Sequence, residues 1–366
     1  MRNNLIIVLV IIITSAFFSC ENSTMDNIEE HLNIVEVVDY TLPNELKKGI
    51  EVVNGILKFE NENIAHVVFE TLDNESDEYV KGLYLSCTNQ EEYFNKVASG
   101  EFNENVVFEQ FEDYYQFNSL RNKMDNEIAI WLKNEELDFE LKPSHIIADD
   151  AMQTILNVNG EYMIGQIIYK VDLHGNIYGI KDADFESLNK LRNILDSDVT
   201  ASEKSGYVIP SNVYLAQRNG NASIIFNHNL KSTTDLDLKA NYSVEKIWSY
   251  DNGNKYMKGR ATVTNVIGVS NFVKASTKSY SKRRFLGWRR FKVNQYASVV
   301  AYIHLKNEDG EWEKAKGKID LAYWEDSRKV KAKYSTWPDR LRVANGQLSS
   351  AHNSDEHVYK SIHVTW

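Results

Sequence analysis

Three groups of residues in this chain could do chemistry: a histidine-bearing C-terminus, pairs of adjacent carboxylates, and a cation-rich segment set with aromatics. His352, Asp355, His357 and His363 are residue types that bind zinc. Their spacing matches no zinc pattern, and on a strand His357 and His363, six residues apart, would be roughly 20 Å from each other, too far to share one ion. They are expected as loop and strand histidines, with no metal and no cofactor. Glu112-Asp113, Glu135-Glu136 and Asp149-Asp150 could supply the acid and base of a glycosidase. That chemistry needs two carboxylates several ångströms apart on opposed sides of a cleft, a geometry that neighbours in sequence do not provide. The sequence contains no G-x-S-x-G elbow, G-x-G-x-x-G loop, P-loop or H-E-x-x-H helix. No catalytic residue is assigned. A binding or structural module is the favoured class, with a hydrolase acting on polysaccharide or peptidoglycan as the alternative.

The third group is SKRRFLGWRRFK, residues 281–292, at the centre of a stretch from Lys255 to Ser298 that holds eleven Lys and Arg and no acid. Lys282, Arg283, Arg284, Trp288, Arg289, Arg290 and Lys292 are the candidate binding residues. A two-residue turn at Leu286-Gly287 would set Arg284 against Arg289 and Arg283 against Arg290, and like charges directly opposite destabilise a hairpin. Something must compensate them. Residues 21–150 carry 30 acidic against 9 basic residues, a net of −21, while the whole chain totals −11. With Arg2 set aside, residues 151–366 are left at +9. The compensator is therefore the acidic half of the same chain, an anionic surface such as lipid headgroups or acidic polysaccharide, or a protein partner. Basic residues interleaved with Phe285, Trp288 and Phe291 could also track phosphates and stack bases, but an exported, acidic protein makes nucleic acid the least fitting partner.

Positioning these residues are elements of two kinds. Up to about residue 195 helical periodicity recurs: Ile64, Val67, Val68 and Leu72 form one stripe, Leu120, Met124, Ile128, Trp131 and Leu132 a second, and Phe185, Leu188, Leu191 and Leu195 a third. Thr88 with Glu91 reads as a capping box opening a short helix. Strand-like pieces lie at 52–59 and 161–180, the latter turning at His174-Gly175-Asn176. After residue 205 the period is two, as in KVKAKYS, where Val330, Ala332 and Tyr334 face one side and Lys329, Lys331 and Lys333 the other. Six of seven tryptophans fall there and are expected to fill a thin sheet-on-sheet core. The expectation is an α+β fold: a mixed helical and strand domain at 41–195, a linker at 196–205, and an all-β sandwich-like domain at 206–366.

Ahead of these, Met1 to Cys20 has a positive start, an apolar run from Leu5 to Phe18, then Ser19-Cys20. Fourteen residues at about 1.5 Å each span roughly 21 Å, short of the roughly 30 Å hydrocarbon core, so this is an export signal and not a membrane span. It resembles the lipobox of bacterial lipoproteins. That resemblance implies cleavage after residue 19, acylation of Cys20, a tether over residues 20–40, and an outer-membrane envelope lipoprotein held by more than one acyl chain. Cys87, the other cysteine, continues the helical stripe of Val80, Leu83 and Tyr84 and reads as a buried small hydrophobe.

Three longer phrases, VVNGILKFENENIAHVVFETL at 52–72, LNVNGEYMIGQIIYKVDLHGNI at 156–177 and KASTKSYSKRRFLGWRRFKVNQ at 274–295, resemble stretches of uncharacterised lipoproteins from Bacteroidota. Those proteins also begin with a lipobox, pass through a GxLxF strand-to-helix start and an IGxxIYKV hairpin, and end in a β-rich part with a basic KR…GW segment. The resemblance implies an envelope lipoprotein of a diderm bacterium and brings no activity or site residues with it. The tail ENSTMDN after Cys20 is only mildly acidic, which leaves open which side of the membrane the protein faces.

Overall fold

The structure, a computed structural model, describes residues 40–131, 143–195, 209–219, 238–283, 287–290, 293–306, 312–327, 329–354 and 358–365. Asn54 and Gly55 both take positive φ, 49° and 74°, the backbone that lets a two-residue turn match the twist of its flanking strands. They join β1 (Ile50–Val53) to β2 (Ile56–Phe59). The chain then enters α1 (Glu62–Leu85), whose cap Asn61 accepts a hydrogen bond from the Ile64 amide at 3.1 Å. Four shorter helices follow: α2 (Gln90–Ser99), α3 (Val106–Tyr115), α4 (Leu120–Trp131) and α5 (Asp150–Ile155). Only after them does β3 (Glu161–Ile164) lie down parallel to β2, and such neighbours need a long crossover, which the helices supply.

From β3 the chain meanders through β4 (Ile167–Val171) and β5 (Ile177–Ile180), turning at the expected His174-Gly175-Asn176, then passes α6 (Phe185–Leu195) and closes with β6 (Val213–Gln217). The six strands form one sheet in chain order, antiparallel everywhere but at β2/β3. Alternation sends Leu57, Phe59 and Tyr162 to the face covered by α1, α3 and α5, while Ile56, Met163 and Ile168 meet Leu188 and Leu191 of α6 on the other.

The remaining strands build two five-stranded sheets. One has β8 (Tyr242–Tyr250), β9 (Lys255–Val266), β10 (Ser270–Arg283) and β11 (Gly287–Arg290) in order, with β14 (Lys329–Ser335) also on β10. The other runs β13 (Trp312–Ser327), β12 (Val293–Lys306), β15 (Leu341–Ser354) and β16 (Val358–Val364), with β7 (Leu238–Lys239) on β15. Between them lies a core of small side chains, among them Ala261, Val273, Ala297, Val299, Ala332 and Leu348. The fold is α+β, a mixed N-terminal part followed by an antiparallel sandwich.

Of the six tryptophans expected in that core, Trp248 and Trp337 have described side chains. Trp248 packs on its edge, and Trp337 stacks instead on His66 of α1, ring centroids 4.0 Å apart at 1°. The two parts also share residues. Val266, Ile267, Val269 and Phe272, from the sandwich strands and their turn, enter the same core as α1, and the Phe272 ring stacks on Phe69 at 5.8 Å. Contacts join Tyr40–Trp366 into one unit. The segment 196–205 lies outside the described residues.

A seam of buried asparagines adds to the junction. Asn219 Nδ2 donates to the carbonyls of His174 and Asn241, its Oδ1 accepts from the Ala240 and Asn241 amides, and Asn241 Nδ2 donates to the Gly175 carbonyl. Gly175 has φ +82°, and a Cβ there would stand 2.6 Å from Asn219 Nδ2, so only glycine fits.

Local differences from the sequence expectation are small and physical. The cap of α2 is Asn89, one residue after Thr88, and Glu92 reaches back to the Thr88 amide at 2.8 Å. Val67 is exposed, because the contact stripe of α1 runs through Val68, Phe69 and Leu72. Cys87 is half-buried against Leu83, Tyr93 and Phe102, and that burial pushes its thiol pKa up. Among the described residues, no helix is long and apolar enough to cross a membrane.

His352 of β15 is wholly buried between the two sheets, its ring nitrogens paired with Thr277 Oγ1 at 2.9 Å and Ser350 Oγ at 2.7 Å. Burial lowers its pKa to about 4. The unfolded chain takes up this proton near pH 6.5 and the folded one only near pH 4, so stability is full above the first value and falls toward the second by up to about 3 kcal/mol. We expect His352→Gln, neutral throughout, to flatten the fall in the chemical-denaturation midpoint across that window. Parallel profiles for the two proteins would show that His352 is not its source.

Candidate binding face

Strands β9, β10 and β14 present alternate residues away from the sandwich core, and those positions are rich in cations. Lys274 pairs in register with Thr262 on one side and Lys333 on the other, Ser276 with Arg260 and Lys331, and Lys278 with Lys258 and Lys329. Cations opposite one another would push the strands apart unless counter-charge is supplied. On the inner end of this face α1 supplies it. Glu70, Asp73 and Asp77 recur at three- and four-residue spacing, one stripe of a helix. Asp73 lies 3.1 Å from both Lys331 and Lys333, Glu70 lies 3.1 Å from Lys333, and Asp77 pairs with Lys331. Asp149 caps α5 through Oδ1, which accepts from the Met152 amide at 3.1 Å, and its Oδ2 holds Lys274.

These groups are mostly out of water: the side chains of Lys274 and Asp149 are 9% and 2% exposed. Burial alone would pull the Lys274 pKa down, but the charges of Asp149 and Asp73 hold it above the ordinary lysine value. Lys331 is raised the same way, burial being outweighed by Asp73 and Asp77. The Lys333 ammonium lies 4.5 Å from the Phe69 ring centroid and 5.1 Å from that of Phe272. Farther along, Arg260 donates to Glu245 and to the Ala148 carbonyl at 2.6 Å, and Lys258 lies 3.1 Å from Glu245. The acidic half of the chain thus neutralises the inner end of the basic sheet face.

The hairpin that continues β10 forms in a different register from the expected one. Arg283 pairs with Gly287, Lys282 with Trp288, Ser281 with Arg289 and Tyr280 with Arg290. No arginine opposes another along the described pairs. In phase along β10 and its partner, Lys282, Trp288 and Arg290 follow Lys274 and Lys278, whereas Arg283 and Arg289 fall out of phase. Arg284 and Lys292 lie outside the described residues, as does Cys20.

The other candidate groups separate. Glu112 is buried and ion-paired with Arg121 at 2.5 Å, and Asp149 is engaged as above, so two of the carboxylates named from sequence hold the fold together. Glu135-Glu136, Asp355 and His357 are outside the described residues. His363 is exposed on β16, and among the described residues no cluster of His, Cys, Asp and Glu is placed to hold a metal. An open depression lies on the α2 side, lined by Glu91, Glu92, Asn95, Lys96 and Glu101. The sequence reading did not foresee the pairing of Lys331 and Lys333 with α1. Its signal was present in the acids at 70, 73 and 77, which recur along one helical stripe.

Compared with known proteins, no family profile matches this chain and no curated protein matches it. Among solved structures it is similar to the crystal structure of a DUF4848 family protein from Bacteroides thetaiotaomicron. Identity is 13%, with 86% of this chain and all of that one covered, and the TM-score is 0.15, too low to carry any inference.

Proposed function

We propose that this protein is an exported lipoprotein of the bacterial envelope, tethered through acyl chains on Cys20, whose folded body serves as a binding or structural module. The observation that carries this reading is the sequence of the first twenty residues, an apolar run too short to span a bilayer and ending in Ser19-Cys20. Its contact is the basic hairpin Lys282–Lys292 with Trp288, facing anionic lipid headgroups of the membrane to which the tether holds it. The inner lysines support this choice, because they already meet the chain's own carboxylates while the basic strand runs on past α1.

Mass spectrometry of the protein from its native membrane is expected to find an acylated N-terminal Cys20, and Cys20→Ala is expected to release the protein into the soluble fraction. An unmodified thiol, or a mature start elsewhere, overturns the tether. For the hairpin, reversing Arg283, Arg284, Arg289 and Arg290 to Glu is expected to abolish retention of a Cys20→Ala chain on anionic liposomes. Retention unchanged in a folded variant removes the hairpin as the contact.

A further inference from the structure

A lysine and an aspartate pressed together out of water are reactants as well as an ion pair. Lys274 of β10 and Asp149, the cap of α5, meet where the sandwich packs on the helices. Among the described residues, no other lysine–carboxylate pair is so fully buried on both sides. The Lys274 ammonium lies 5.5 Å from the Phe272 ring centroid, so one flank of the pair is aromatic. Asp149 is also fixed in orientation. Its Oδ1 accepts from the Met152 amide, which turns Oδ2 to the lysine. A third carboxylate stands close by. Asp73 Oδ2 lies 3.1 Å from the ammonium of Lys333, the register partner of Lys274, and among the charges acting on Lys274 that of Asp73 is second only to Asp149.

An ammonium and a carboxylate together hold the atoms of an amide and one water, so joining them needs no oxidant and no co-reactant. In bulk water the hydrated charges are the stable form. Burial strips them of that hydration, and groups held in the right geometry react as though at effective concentrations of about 10⁵–10⁸ M. Both conditions are met at this pair. The buried guanidinium pairs, Arg121 with Glu112 and Arg192 with Glu161, have no such path, because a guanidinium keeps its proton.

We propose that Lys274 and Asp149 condense to an isopeptide bond between Nζ and Cγ once the helical part and the sandwich have closed on each other, with Asp73 as the proton carrier. One ammonium proton passes to Asp149 Oδ2, leaving a neutral amine beside a carboxylic acid. Nζ attacks Cγ, and the negative charge that gathers on Oδ1 is met by the Met152 N–H. Asp73 takes the second proton from Nζ and returns it to the Oδ2 hydroxyl. That group leaves as water while the Cγ=Oδ1 double bond re-forms. The product is a neutral amide whose oxygen still accepts from Met152. It staples α5 to β10 and depends on neither the tether nor the hairpin.

Mass spectrometry of the purified full-length protein tests this directly. The chain is expected to be lighter than its sequence by one water, and its digest to yield a branched peptide joining Lys274 to Asp149. Lys274→Met is expected to restore the full mass. Asp73→Asn combined with Lys331→Met and Lys333→Met, which leaves no lysine there without a counter-charge, is expected to fold and to lower the joined fraction at least tenfold. The proposal is overturned if the unaltered protein has its full sequence mass, if Lys274 returns in an ordinary linear peptide, or if the missing water lies at another residue. A folded triple variant joined as completely as the parent overturns the role of Asp73.

Discussion

Asp73→Asn should cost this protein about 3–5 kcal/mol, the usual penalty for removing one partner of a buried ion pair. Asp73 is 5% exposed and each of its oxygens serves a different lysine, Oδ1 for Lys331 and Oδ2 for Lys333. Asparagine keeps the shape and withdraws the most buried of three carboxylates, leaving two ammonium groups between a helix and a sheet with only the more exposed Glu70 and Asp77 to answer them. Adding Lys331→Met and Lys333→Met should restore most of the loss, because apolar groups of similar length need no counter-charge there. Urea unfolding at unchanged slope measures both effects. A cost for Asp73→Asn below about 1 kcal/mol would mean that these pairs behave like solvent-screened surface pairs.

Phe272→Ala should be comparably severe, about 3–5 kcal/mol, since it removes a fully buried ring from a close-packed core. Phe272 belongs to a sandwich strand yet packs on Phe69 of α1, so its loss should weaken both parts together. Far-UV dichroism reports chiefly the helices, and tryptophan fluorescence reports chiefly the C-terminal part of the chain, since six of the seven tryptophans follow residue 205. Both signals should shift to the same lower midpoint. If the helical signal alone moves, the shared core does not couple the two parts energetically.

Period and turn chemistry made much of this fold legible. The stripes of α1, α4 and α6, the turn at His174–Asn176 and the two-residue alternation after residue 205 were all open to inspection. Asn54-Gly55 is an equally plain hairpin signal, although the period of 52–59 by itself reads as one strand-like piece. What sequence pattern could not reach were relations between distant segments. KVKAKYS was correctly divided into an apolar and a lysine face, but nothing local says that α1 lies over the lysines. In the basic hairpin the strands pair in another register than a two-residue turn at Leu286-Gly287 would set, and that alone changes which arginines meet. Of the candidate binding residues, five fall on strands whose register is defined.

The parallel contact of β2 with β3 bears on how the protein is made. The β1–β2 hairpin can form early, but its next neighbour arrives only after about a hundred further residues, and the core beneath it waits longer still, for Phe272. Closing so long a loop is slow and entropically opposed. A nascent chain would therefore stay open, its apolar helix stripes uncovered, until well past its midpoint. Such a chain would be compatible with the proposed export in an unfolded state.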